Sequence, residues 1–407
     1  MTERLYKRHQ NMRPLVLPKM TTEITPLTDY QLDRVQNVRL GLDNPVIEFK
    51  EMGRDGEKYK NGISSVPATL VFNEYGRAKP YSVLSGQTFG ADEAVVELTD
   101  FANETFDLVL MNKNIAGTAI SESCYINQCY VNGINITLPS GTDKVTTEVT
   151  FTAREKVWLA NDNAHFIYDY HLVTAGEVAG GSYTLGSTPK VLTDGTYILR
   201  ALRYDAVNSE WIELVEATDY TILTATITAT LVEDDLWIMY YSAATGASFK
   251  ALDDTNAMGV TGNEVVCYLD GGTAGLLRVK SAGINCSISR SDLEQQGDAH
   301  HFARPVTDYN VSISIDKYES DLTLLALFAG TTLASVKDIR ISQFIDTLDF
   351  LVRIYEDETH AVLLAEMLCE NVRITGQDLD ATIGDVFGAG FTLVTDNWKY
   401  TQKTEGS

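Results

Sequence analysis

Cysteine, histidine and positive charge are all scarce in this 407-residue chain. The five cysteines, Cys124, Cys129, Cys267, Cys286 and Cys369, are odd in number and form no CxxC pair. That argues against a disulfide framework or a zinc site and points to small buried thiols. None of the six histidines stands in an HExxH arrangement, and the His300-His301 pair reads as a solvated or interface pair. Asp162 and His165 lack a GxSxG nucleophile elbow. Gly271-Gly272-Thr273-Ala274-Gly275 lacks the Lys-Ser/Thr of a phosphate loop and reads as a hairpin turn. Asp234-Asp235 and Asp253-Asp254 lack the spaced oxygens and closing glutamate of a calcium loop, so they read as turns. No glycine-punctuated period of a β-helix is visible. The expectation is therefore no enzyme, no cofactor and no metal.

Lys and Arg number 32 against 56 Asp and Glu, a net charge of −24. The first twenty residues oppose this trend, with Arg4, Lys7, Arg8, Arg13 and Lys19 against Glu3. The body is acidic and the leading arm basic. An acidic surface excludes tight gripping of nucleic acid, which draws its affinity from cations on phosphates. There is no run of eighteen apolar residues and no apolar stretch of signal-peptide length in the arm, so no membrane attachment is expected.

What is present is a globular composition. Hydrophobic residues make up 44%, with 20 Tyr and 14 Phe, and the length calls for two or three domains. The dominant period is two: Tyr309 to Asp316 alternates without a break, and Ile284 to Ile288, Ile134 to Leu138 and Val145 to Phe151 follow suit. The chain reads as mainly antiparallel β. Short helices are expected at Leu322–Phe328 after the cap Asp321, and at Glu104–Met111 after Asn103.

This shared order of strand, cap and short helix implies an internal duplication. Cys129 and Trp158 are separated by the same 29 positions as Cys369 and Trp398, an offset of 240 that also pairs Ile134 with Ile374, Phe151 with Phe391 and Thr152 with Thr392. Ile345 to Asp357 is an expected extra strand or hairpin in the second copy. Between the copies, turn signals at Asp194-Gly195, Asn208-Ser209 and Asp234-Asp235 divide strand-like segments at Thr196–Tyr204, Glu210–Glu216, Tyr220–Leu231 and Leu236–Tyr241. They read as a small immunoglobulin-like sandwich. The expected domains are an arm at 1–44, a first β domain at 45–165, the inserted β-sandwich at 166–261 and a second β domain at 262–407.

Strand SAGINCSISRSDL, polar loop EQQGDAHHFARP, strand VTDYNVSISID and helix DLTLLALFAG follow one another between Val279 and Leu327. With the tandem arrangement and the acidic body, this resembles the duplicated tail-tube proteins of siphophages. The resemblance implies two tail-tube-like β-sandwich or barrel domains with short helices, and three chains forming a pseudo-hexameric ring. Stacked rings would make a channel for DNA ejection in a virion tail, the protein being made in the host cytoplasm. It implies as partners the chain itself, tape-measure and baseplate or terminator proteins, and DNA passing without sequence-specific binding. The loop at Ser291–Pro305 and its expected counterpart at Asn73–Gly90 would reach a neighbouring subunit or ring, through Glu294, Gln295, His300, His301 and Arg304 and through Tyr75, Arg77 and Lys79. The alternatives are a baseplate or terminator ring component, or a carbohydrate-binding adhesin using Trp211, Trp237, Tyr240 and Tyr241.

Overall fold

The fold is that of a computed structural model, which describes residues 12–18, 31–32, 34–41, 46–49, 58–61, 65–85, 95–101, 105–113, 120–160, 163–245, 259–269, 279–294, 301–318, 323–330, 338, 348–380 and 388–403. It is mainly β. The first strands are β1 (Met12–Pro18), β2 (Val35–Leu40), β3 (Val46–Phe49), β4 (Lys58–Asn61), β5 (Val66–Asn73), β6 (Val95–Glu97) and β7 (Phe106–Lys113). There follow β8 (Ile120–Pro139), β9 (Thr146–Ala153), β10 (Glu155–Ala160), β11 (His165–Leu172), β12 (Ser182–Thr184), β13 (Ile198–Asp205), β14 (Glu210–Leu214), β15 (Tyr220–Leu223), β16 (Thr226–Ala229) and β17 (Leu236–Ala243). The last are β18 (Val265–Leu269), β19 (Val279–Arg290), β20 (Leu293–Glu294), β21 (His301–Ala303), β22 (Val306–Tyr318), β23 (Leu348–Tyr355), β24 (Leu363–Asp380), β25 (Gly388–Thr395) and β26 (Lys399–Gln402). Among the described residues there are three short α-helices: α1 (Lys79–Leu84), α2 (Ala175–Gly180) and α3 (Thr323–Phe328).

The chain divides into two compact units, and each gathers distant segments. One comprises residues 1–32, 107–127 and 156–252; the other comprises 33–106, 128–155 and 253–407.

In the first unit β11, β17, β13 and β14 form a four-stranded sheet, and β12, β16 and β15 a three-stranded one. Strand β17, LWIMYYSA, is buried at every position. Trp237, Met239, Tyr241 and Ala243 pack with Tyr183, Tyr220 and Ile227 of the smaller sheet. Leu236, Ile238 and Tyr240, on the opposite face, pack with Leu15 and Leu17 of β1, Val109 and Met111 of β7 and Tyr125 of β8. A strand covered on both faces shows no alternation of polarity, since neither face meets water. Of the four aromatics considered for carbohydrate, Trp237, Tyr240 and Tyr241 are core residues, at most 1% exposed, and Trp211 is half-buried with its ring centre 5.2 Å from that of Tyr204.

The expected helix at Glu104–Met111 is not formed; Phe106–Lys113 is β7, paired with β1 and β8. The run FDLVLM fits either state by its apolar content, and backbone partners on both sides decide for the strand. The helix expected at Leu322–Phe328 is present as α3. The expected extra strand near Ile345–Asp357 is β23.

The second unit is built on a continuous antiparallel path, β24-β25-β22-β19-β8-β9-β5-β2, in which β8 takes part through its second half. Its buried face is a set of cross-strand rows. Leu70, Val149, Ile134, Cys286 and Val311 stand side by side on β5, β9, β8, β19 and β22, each fully buried. Ile136, Ile284, Ile313 and Leu393 form the next row. Burying each such side chain contributes about 1.5–3 kcal/mol, and the polar residues alternating with them are left on the other face. The first half of β24 pairs instead with β23 and β26.

The path is a repeated module: β8-β9-β5-β2 has the order of β24-β25-β22-β19, and their irregularities coincide. Gln128 in β8 and Asn371 in β24 both adopt the left-handed region, at φ 47° and 53°. Four residues later each strand carries an unpaired extra residue, Asn132 and Thr375, followed by Gly133 and Gly376. Strands β2 and β19 share a similar break, at Gln36 and Lys280. Such bulges increase twist and bend a strand. Helices α1 and α3 follow β5 and β22 respectively. The equivalent positions lie 242 to 245 apart, not at the 240 taken from the Cys-Trp spacing, and the tryptophans differ in environment: Trp158 is 60% exposed and Trp398 fully buried.

Candidate assembly surface

The open face of the eight-stranded path is lined by small polar residues. One row crosses all eight strands, Asn37, Val71, Glu148, Asn135, Asn285, Ser312, Val394 and Arg373, every member exposed or half-buried. A second runs Thr146, Thr137, Gly283, Ser314, Thr392 and Gly376. Carboxylates are sparse but present, with Glu148 inside the first row and Asp316 accepting from the Ser281 hydroxyl at 3.0 Å. Cations stand at the borders: Arg39 on β2, Arg373 on β24, and Lys280, 6.0 Å from the Tyr318 ring centre. Glycine suits the tight packing of the sheet, because a Cβ on Gly133 would lie 2.9 Å from the Cys286 carbonyl oxygen and one on Gly283 would displace the Ser314 hydroxyl, 2.9 Å away.

The two modules meet where β8 pairs with β19, seven residue pairs from Gly133 opposite Ser287 to Pro139 opposite Ser281. Behind this seam is a buried polar node. Glu74 is fully buried; its Oε1 accepts from the backbone N–H groups of Tyr75 and Gly76, both at 3.0 Å, and from Tyr400 OH at 3.1 Å. Its Oε2 accepts from Tyr81 OH at 2.7 Å, and Tyr81 OH lies 2.9 Å from Thr147 Oγ1. Burial pushes the carboxyl up from the ordinary range, against the opposing effect of these hydrogen bonds. Gln402 adds a bond from Ala78 N at 2.9 Å. Residues 74–81 of the first module are thus tied to β26 of the second. Sequence reasoning missed Glu74, since Asn73-Glu74-Tyr75-Gly76 has the composition of an ordinary surface turn.

Of the residues expected in the loops, Tyr75 is buried beside this node, and Arg77 and Lys79 are half-buried at the start of α1. Asn73–Gly90 is not the counterpart of Ser291–Pro305. By strand equivalence that counterpart lies between β2 and β5, where β3 and β4 form a hairpin as β20 and β21 do between β19 and β22. Glu294 and His301 are opposite each other in the β20–β21 ladder. Arg304 sits at the loop base, its Nε 2.7 Å from Asp292 Oδ1. Arg290 completes that base, donating to the carbonyls of Val131, Arg304 and Phe101 at 3.2, 3.0 and 2.6 Å while lying 5.2 Å from the Tyr130 ring centre. Gln295, His300, the glycine-rich 271–275 segment, Asp253-Asp254, Asp162 and the basic residues of the arm up to position 11 lie outside the described residues.

Among the described residues no group of three or more His, Cys, Asp or Glu is placed to hold a metal, and no helix is long and apolar enough to cross a membrane. No family model matches the sequence, and no curated protein matches it. Among solved structures, the chain is similar to one in the sheath–tube complex of an extracellular contractile injection system (PVC) in its extended state. That match has 14% identity and a TM-score of 0.28, covering 39% of this chain and 95% of the other. A chain of the anti-feeding prophage (AFP) baseplate has 11% identity and a TM-score of 0.29, covering 39% of this chain and 97% of the other. These scores are too low to define kinship or function. The class that the fold itself defines is a mainly-β chain with a tandem four-strand module.

Proposed function

We propose that the chain is a structural subunit of a virion tail, assembling edge to edge into rings that stack as a tube around a DNA channel. Three chains, each bringing two modules, would make a ring of six modules. The observation that carries the reading is the eight-stranded sheet itself. It is a continuous wall made of two equivalent modules, apolar on one face, with Ser, Thr and Asn on the other. A polar, weakly acidic face suits a channel lining, because hydroxyls and amides keep water at the wall and carboxylates repel phosphate within a screening length of about 8 Å. A sheet closed on copies of itself also removes the edges that otherwise aggregate. The adhesin alternative is left with Trp211 alone of its four aromatics, since Trp237, Tyr240 and Tyr241 are buried.

Negative-stain electron microscopy of the purified chain at high concentration tests this. Rings with three-fold averages, or tubes, are expected. A monodisperse particle that never forms rings or stacks at any concentration rejects the proposal.

A further inference from the structure

Inside the chain, residues 133–139 of β8 have a neighbour on each side, β9 and β19. In the second module the equivalent residues of β24, from Gly376 onward, pair with β25, and among the described residues no strand lies against their other side. Strand β2, equivalent to β19, pairs among the described residues with β5 alone. One edge of each kind is therefore left at the two ends of the path, and the chain itself contains the pattern by which such edges join.

We propose that the second half of β24 in one copy pairs antiparallel with β2 of a second copy, in the register that β8 and β19 use within the chain. This rests on the assembly reading above and supplies its contact. The matched irregularities set the register: Gly133 corresponds to Gly376 on one side, and the breaks at Gln36 and Lys280 correspond on the other. Thr137 opposite Gly283 becomes Asp380 opposite Arg39, and Ile136 opposite Ile284 becomes Leu379 opposite Leu40. Each new pair is complementary, one charged and one apolar. Opposite charges directly across an antiparallel pair stabilise it, while like charges there oppose it. Burial agrees. Ile284 and Ala282, flanked on both sides, are 0% and 5% exposed, whereas their counterparts Leu40 and Val38 are only half-buried. The contact is head to tail, which is the geometry that generates rings or open filaments.

Cysteines at the proposed pair test the register. Residues directly opposite in an antiparallel ladder have Cα atoms about 4.5–5.5 Å apart, within disulfide range, and the five native thiols are buried. An Arg39→Cys chain mixed with an Asp380→Cys chain under mild oxidant is expected to give a covalent dimer on a non-reducing gel. The chain carrying both substitutions is expected to give multimers ending at three. Neither single variant alone should do so. As an independent arm, Arg39→Glu is expected to lose assembled material and Arg39→Glu with Asp380→Arg to regain it. Rings or tubes visible by microscopy with no cross-link and no charge rescue overturn the register and leave the tube reading standing. A disulfide confined within single chains, or the absence of any assembly by the unaltered chain, overturns the inference, and the latter removes the tube reading too.

Discussion

Replacing Asp107 by alanine tests whether the first unit depends on a buried charge pair. Arg200 and Asp107 are each about 2% exposed in their side chains, with Arg200 NH1 2.8 Å from Oδ1 and 2.9 Å from Oδ2. Tyr125 OH donates to Oδ2 at 3.0 Å. Burial by itself lowers the Arg200 value, but the adjacent Asp107 and Glu213 charges outweigh it and hold the guanidinium firmly protonated. Glu213 lies 3.4 Å from Arg200 Nε but is 44% exposed, so it cannot replace the lost partner in the interior. Removing one member of a buried pair costs about 3–5 kcal/mol, whereas replacing both with apolar residues of similar volume is close to neutral. With a urea slope of about 2 kcal/mol per molar, Asp107→Ala should lower the midpoint by roughly 1.5–2.5 M. Asp107→Leu with Arg200→Met should recover most of that fall. Tryptophan fluorescence of the full chain is the assay, since Trp158, Trp211 and Trp237 all belong to this unit. A midpoint shift under about 0.5 M for Asp107→Ala, some 1 kcal/mol at that slope, would show that the pair contributes no more than surface charges do.

Glu74 predicts a pH dependence with a definite sign: its folded value is raised, so its contribution is fully present below the ordinary 4.5 and drains away as pH climbs through the raised value. Glu74→Gln should flatten that slope in denaturant titrations at a series of pH values, and identical slopes for both chains would rule the assignment out. Gly76 has φ 71°, and a Cβ there would lie 2.7 Å from Leu364 Cβ; Gly76→Ala should therefore cost more than about 1 kcal/mol, and an unchanged melting temperature would contradict the packing. Burial pushes Cys124 up to about 11 and Cys267 up to about 12, and Cys286 and Cys369 are raised as well. A thiol reagent at pH 8 should find almost no reactive cysteine in the native chain and all five after denaturation, so rapid native labelling would place a thiol at the surface.

The strands of the eight-stranded path are those most legible in the sequence. In β19 and β22 every second residue from Ala282 to Ile288 and from Val311 to Ile315 meets the core and the others meet water, so period two is imposed by the fold. Legibility fails where that asymmetry fails. Strand β17 is covered on both faces and reads as one apolar run, and β7 owes its extended form to pairing with the distant β1 on one side and the following strand β8 on the other. Helix α1, KPYSVL, is too short to show a 3.6 period and reads as loop in the sequence, yet Pro80 through Leu84 are all buried. The four-strand order shared by β8-β9-β5-β2 and β24-β25-β22-β19 does not follow the 240 offset that residue identities suggest. Pairing registers and backbone breaks locate equivalent positions better, because Trp158 and Trp398 match in spacing alone. The Glu74 node involves residues from positions 74 to 400 and has no local signature.

The β8–β19 seam has a kinetic meaning. Because both strands belong to one polypeptide, the junction forms when the chain folds, at a rate independent of how many other chains are present. Any junction between copies instead depends on concentration. A tandem chain therefore leaves fewer encounters to be completed in solution than separate modules would. On the proposed reading, the β2 and β24 edges, rather than the internal seam, are where a further copy would join.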